Sequence, residues 1–114
     1  MDLDTSKTKD FYCDFVFSGK IKVTKVRETD NVLAFYHTKP SWTTHIVIVT
    51  KKHISSLLEL ENIDLIKEIF EIAKDIIKEK GLDKNNFKII TNGGKFQDSK
   101  HLHFHLVSGK PLGK

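Results

Sequence analysis

Residues 101–109 read HLHFHLVSG, which places His101, His103 and His105 at alternate positions with apolar residues between them. On a strand, alternate side chains share a face. The three imidazoles would then follow one another at about 6.6–6.8 Å, while Leu102, Phe104 and Leu106 turn to the opposite face. One face packs and the other is available for chemistry. Three uses suit these residue types. The histidines could be the polar side of a half-exposed strand. Two of them, two positions apart, could share a tetrahedral metal ion, and a third ligand would make a catalytic zinc centre. Or imidazole, a good nucleophile that is substantially neutral at pH 7, could take up a nucleotidyl group while a neighbouring histidine supplies positive charge or a proton.

Such a strand needs a sheet and something to pack against. Residues 21–26, 32–36 and 44–49 are short runs rich in β-branched and aromatic types, separated by ETDN and HTKPSW, and they predict an antiparallel meander with Pro40 in its second loop. Over residues 62–80, Ile63, Ile66, Ile69, Phe70, Ala73, Ile76 and Ile77 recur at three- and four-residue spacing, which predicts an amphipathic helix of about five turns. Asn62 suits its N-cap and Asp64 its first turn, whereas Lys78, Lys80 and Gly81 suit its end. Residues 87–91 and 101–107 read as two further strands joined by NGGKFQDSK. The expectation is an α+β domain: a five-stranded antiparallel sheet, one long helix and a short N-terminal helix.

The 114 residues accommodate one domain, expected over residues 11–114 behind a disordered leader, residues 1–10. The longest apolar run, Ile46, Val47, Ile48 and Val49, is far too short to span a bilayer, and the polar start MDLDTSKTKD does not resemble a secretory signal. A cytoplasmic protein without membrane contact is expected. Cys13 is the only cysteine, so neither an internal disulfide nor a multi-cysteine zinc site can form. The net charge of +4 favours an anionic ligand. The lysines of IIKEKGLDKNNFK interleave with acids and form no basic stripe, which argues against nucleic acid as a partner.

HLHFHLV matches His-φ-His-φ-His-φ-φ, with φ apolar, at every position, and the chain resembles the histidine triad (HIT) nucleotide-binding family, Hint branch. The likeness runs over residues 11–113. VLAFYHTKPSWTTHIVIVTKKHI is similar to the family's strand-loop-strand segment, ITNGG to its asparagine–glycine turn and SGKPLG to its closing turn. It implies a homodimeric hydrolase of nucleoside 5′-phosphoramidates, purine nucleotides included, that needs no cofactor. His103 would attack the α-phosphorus and be released by water, with its other nitrogen held by the His101 carbonyl. His105, as a charged imidazole, would meet the phosphate oxygens, and His45 would be the fourth histidine beside the triad. Phe35, Tyr12, Cys13, Val16, His37 and Thr38 align with the nucleoside pocket, and Asn92, Gln97 and Asp98 with the phosphate and leaving-group side. His53 reads as a structural hydrogen-bonding residue. The alternatives are a dinucleoside polyphosphate hydrolase, a nucleotide-binding interaction protein with incidental turnover, and a metal-binding module.

Three departures stand out. Zinc-bearing members of the family carry Cys-x-x-Cys near the start. Alignment on Ser18 and Gly19 puts Phe11 and Asp14 there, with Cys13 out of register, so no metal is expected. Asp98 occupies the place of a serine common in the family, three residues before the triad. His37 stands where the family usually has an aspartate that accepts hydrogen bonds from both ribose hydroxyls.

Overall fold

A computed structural model describes residues 7–113. Five antiparallel strands, β1 (Lys25–Glu28), β2 (Val32–Tyr36), β3 (Trp42–Thr50), β4 (Lys88–Ile90) and β5 (His103–Pro111), lie in the order β1-β2-β3-β5-β4. One long helix, α1 (Ile63–Lys80), and a short π-helical turn, Tyr12–Val16, complete the α+β architecture.

The two faces of the sheet are covered differently. Val32, Ala34, Ile46, Ile48, Phe104 and Leu106 pack with Ile69, Ile72, Ala73 and Ile76 of α1. Leu33, Phe35, Val47 and Val49 project the other way, where, among the described residues, Tyr12 and Val16 of the N-terminal turn join them in the buried apolar cluster. The strand alternation thus buries one face under a helix of eighteen residues and leaves room on the other.

α1 begins and ends as its cap residues require. The Asn62 side chain accepts from the Asp64 N–H at 3.0 Å, and Gly81, at φ +65°, donates its N–H to the carbonyls of Ile77 and Lys78. The buried stripe is narrower than its sequence period suggested. Ile63 and Phe70 are exposed and Ile72 is buried instead. Ile63 stands in the first turn and outside the buried cluster, and the Phe70 ring meets that of Phe104 in a T-shaped contact with centroids 5.9 Å apart.

Several boundaries move. β1 starts at Lys25 rather than residue 21, because the Ile21 N–H goes to the Phe15 carbonyl at 2.9 Å and ties that stretch to the N-terminal turn. β4 contracts to Lys88–Ile90. β5 begins at His103, leaving His101 outside the strand, and runs on to Pro111 through the expected SGKPLG turn. That extension passes a register shift opposite Trp42 and Thr44. Gly109 permits it at φ +84°, where a Cβ would lie 2.7 Å from the Thr43 Cβ. Residues 9 and 10 make contacts with the rest of the fold: the Lys9 carbonyl accepts from the Lys100 N–H at 2.6 Å, and the Asp10 carboxylate meets two histidines. Residues 1–6 of the expected leader lie outside the described residues. Among the described residues no helix is long and apolar enough to cross a membrane.

Candidate active site

The open face of the sheet carries a cavity of about 770 Å³, within the usual range for small-molecule sites. Strand register builds its floor. Phe35 pairs with Val47, Val47 with His105, and the neighbouring pair joins Val49 to His103. Tyr12 closes one side with its ring 4.9 Å from that of His103. The β2 side carries His37, Thr38 and Lys39, and the β4 side Asn92, Phe96 and Asp98.

Hydrogen bonds fix which nitrogen of each imidazole bears a proton. His103 Nδ1 lies 2.6 Å from the His101 carbonyl, which can only accept, so Nδ1 carries the hydrogen and Nε2 keeps its lone pair. His45 is set in the opposite sense. Its Nδ1 accepts from the Ser41 N–H at 3.0 Å, so its hydrogen is on Nε2, which donates to His105 Nδ1 at 2.9 Å. His105 Nδ1 is then an acceptor, and its own hydrogen sits on Nε2. The pocket therefore holds one imidazole with a lone pair and one with an N–H, their rings 5.0 Å apart.

Both rings are neutral at pH 7. Burial lowers the pKa of His103 below its ordinary value, against the raising effect of the His101 carbonyl. Burial lowers His105 further, to about 3, with added repulsion from His103, His45 and His37. The charged His105 expected from sequence is thus not the resting form, because burial, and after it the three neighbouring imidazoles, disfavour the charge.

His101 faces away from the cavity. Its side chain is fully buried, and Nε2 donates to the Thr50 carbonyl at 2.6 Å. The lone pair on Nδ1 is then aimed at Asp10 Oδ2, 2.9 Å away, and at Cys13 Sγ, 3.4 Å away. His53 Nδ1 reaches the same carboxylate oxygen at 2.5 Å. Two lone-pair atoms this close require a cation between them, either a proton or a metal. The ligand atoms of Asp10, Cys13, His53 and His101 all lie within 4.8 Å of one another. A thiolate, two imidazoles and a carboxylate make an acceptable tetrahedral zinc set, and the Thr50 carbonyl is the outer partner such a histidine usually has. The residues fit a metal. The alignment that put Phe11 and Asp14 in these positions is corrected by one residue: Asp10-x-x-Cys13 has the spacing, with a carboxylate in place of the first thiolate. As it stands, burial and Asp10 push the Cys13 thiol up to about 11.

A second imidazole group, His37, His45 and His105, also brings its nitrogens within 4.8 Å. It fits a metal poorly. The Nδ1 atoms of His37 and His45 are already occupied by the N–H groups of Lys39 and Ser41, so a metal would have to displace a proton from each Nε2.

Of the residues singled out from sequence, Tyr12, Phe35, His37, Thr38, His103 and His105 line the cavity, as do Asn92 and Asp98. The others do not. His101 contributes its carbonyl only, and His45 acts through His105. Cys13 points to the Asp10 group, Val16 packs behind Phe35, and Gln97 is spent on the carbonyls of Ser55 and Ser99 at 2.7 and 2.9 Å. Val47, Phe11 and Lys39 were missed as lining residues, as were Lys20, Ile21, Phe96 and Ser99. Val47 shares the face of His45 and could have been found by alternation. The others lie on loops or turns whose course no periodicity announces.

The sequence profile of the HIT domain matches residues 18–112. A solved histidine triad protein from Clostridium difficile is 38% identical and superposes with a TM-score of 0.80 over 95% of this chain and 96% of its own. The 14 kDa zinc-binding protein of Brassica juncea is 33% identical, covering 85% of this chain and 90% of its own. The adenylylsulfatase HINT1 of Arabidopsis thaliana is 32% identical, covering 87% and 71% respectively.

Proposed function

The chain belongs to the HIT domain family, and from that premise we propose that it is a hydrolase that passes the nucleotidyl group of a nucleoside 5′-phosphoramidate, purine nucleosides included, to His103 and then to water. One observation carries this reading: the His101 carbonyl, 2.6 Å from His103 Nδ1, leaves a neutral ring with its nucleophilic nitrogen uncommitted to that bond, on the wall of a nucleotide-sized cavity. The adenylylsulfatase relative supports it, since that name describes cleavage of a mixed nucleotide anhydride.

In the first step His103 Nε2 forms a bond to the α-phosphorus. The bond from phosphorus to the leaving nitrogen breaks, and the amine departs with a proton taken from solvent. In the second step water attacks the same phosphorus and gives one proton back to solvent, the N–P bond breaks, a nucleoside monophosphate is released and neutral His103 is restored. His105 donates through Nε2–H to a phosphoryl oxygen as charge builds there, without itself needing to be charged at rest. His45 is a positioning residue that keeps His105 in that tautomer. The base lies toward Tyr12, Phe35 and Val47, the sugar toward His37, and the leaving group toward Asn92 and Asp98.

The zinc-binding relative extends the reading to the Asp10 group. Asp10, Cys13, His53 and His101 would hold the ion, whose chemistry there is to cross-link the N-terminal turn to the loop before β5. The homodimer and the cytoplasmic location belong to the same proposal. For a second copy the three-residue β4 offers a sheet edge.

Intact mass spectrometry under single-turnover conditions tests the reaction, with adenosine and guanosine phosphoramidates beside diadenosine polyphosphates. We expect an adduct of one nucleoside monophosphate from the phosphoramidates, and none in His103→Ala even though that variant still binds nucleotide. Adduct persisting in His103→Ala would sink the assignment. Native spectra of the same tag-free protein report whether one zinc ion travels with the chain.

A further inference from the structure

The reaction derived above makes no use of His37, Lys39 or Lys20, although all three line the cavity. His37 follows the last residue of β2, and its N–H donates to the His45 carbonyl at 2.8 Å. Its ring stacks on His45 with centroids 4.3 Å apart and lies 5.9 Å from the ring of His105. Nδ1 accepts from the Lys39 N–H at 2.9 Å. Whether the ring is neutral or charged, its hydrogen is therefore on Nε2, and His37 meets any partner of that atom as a donor. Lys39 and Lys20 can only donate as well.

The β2 end of the cavity is lined by His37, Thr38 and Lys39. His37 and Lys39 extend from β2, whereas Asp98, the one carboxylate lining the cavity among the described residues, follows β4 on the far side of β5. A nucleotide whose phosphorus is at His103, and whose base lies against Phe35 and Val47, must lay its sugar between the two, beside His37 and Lys39. A sugar hydroxyl finds donors there in His37 Nε2 and Lys39, and its one side-chain acceptor is the Thr38 hydroxyl. An anion matches it better, because the side chains of His37, Thr38 and Lys39 can all donate and Lys39 carries an ammonium group.

We propose that this end of the cavity is a second anion subsite, so that the chain prefers nucleotides phosphorylated on the sugar, at the 2′ or 3′ oxygen, as well as at the 5′ position. The inference rests on the nucleotide reading of the pocket and goes beyond it by naming the substrate class. It needs no new chemistry at His103, since the extra phosphate binds and does not react.

Calorimetric titration with AMP, adenosine 3′,5′-bisphosphate, adenosine 2′,5′-bisphosphate and diadenosine tetraphosphate tests it. At low salt at least one bisphosphate should bind roughly tenfold tighter than AMP, and the advantage should shrink severalfold in high salt. His37→Asp should abolish or reverse the advantage, and the exposed Lys39→Glu, which leaves the imidazoles in place, should reduce it strongly. Equal binding of AMP and both bisphosphates overturns the subsite while leaving the nucleotide reading standing. Failure of every ligand to bind overturns both. If only the tetraphosphate gains, with the same dependence on His37 and Lys39, the donors serve a leaving group and the sugar proposal is overturned.

Discussion

His103 and His105 are chemically the same residue two positions apart, yet main-chain and histidine neighbours give them opposite polarity at the pocket. The motif announces the pair, because alternation alone puts them on one face, the face that Phe35 shares two strands away across β3. That His101 works through its carbonyl was expected from the family resemblance and not from the spacing, since a pattern of side chains carries no record of main-chain partners. His37 is the position where type and geometry together make the clearest prediction. With Nδ1 occupied by the Lys39 N–H, its imidazole cannot supply the two acceptors that the family's aspartate offers to a pair of ribose hydroxyls. A site that leaves hydroxyl donors unmatched discriminates weakly against substrates lacking them. We expect similar kcat/KM for matched ribo and 2′-deoxy phosphoramidates, and His37→Asp should sharpen the ribose preference about tenfold, or about 1.4 kcal/mol. A strong ribose preference that His37→Asp leaves unchanged would show that the residue does not read the sugar.

At the level of elements, α1 and β2 were legible to within a residue because period, cap and turn residues agree there. The ends of β1 and β5 were not, since they depend on partners distant in sequence: Phe15 for Ile21, and Thr43 for Gly109. Gly109 shows how much such a partner weighs. Gly19 and Gly109 share nearly the same φ, +82° and +84°, but a Cβ at Gly19 would meet nothing within 4 Å, whereas at Gly109 it would strike Thr43 at 2.7 Å. Gly19→Ala should therefore cost only the backbone term, about 1 kcal/mol, and Gly109→Ala about 2–4 kcal/mol. Urea denaturation of the two variants reads the difference, and equal losses would mean that β3 moves aside without strain.

Across the whole molecule, the sheet has one dry face and one that buries imidazoles, and this ties stability to pH. Folding lowers the pKa of His103 and takes that of His105 from 6.5 to about 3, so between these values the unfolded chain binds protons that the folded chain refuses. Stability is fully present above pH 6.5 and is lost as the pH falls toward 3, by at most about 1.4 kcal/mol per pH unit for each histidine. Asp10, held below its ordinary 3.8, loses stability only at lower pH and does not mask the effect. Urea midpoints at pH 7.5, 6 and 5 should fall steadily, and His105→Asn should flatten the trend. An unchanged midpoint down to pH 5 would mean that the rings are solvated in the folded state.

His101 divides its labour between its two halves. The carbonyl orients the nucleophile, and every residue type has a carbonyl. The imidazole meanwhile anchors the first turn, whose intervening residues, Phe11 and Tyr12, wall the cavity. An alanine scan scored by turnover alone would therefore credit His101 with proton transfer when what it had removed was an anchor. Only a measurement that separates substrate affinity from the rate of phosphorus attack would assign the loss to the wall rather than to the chemistry.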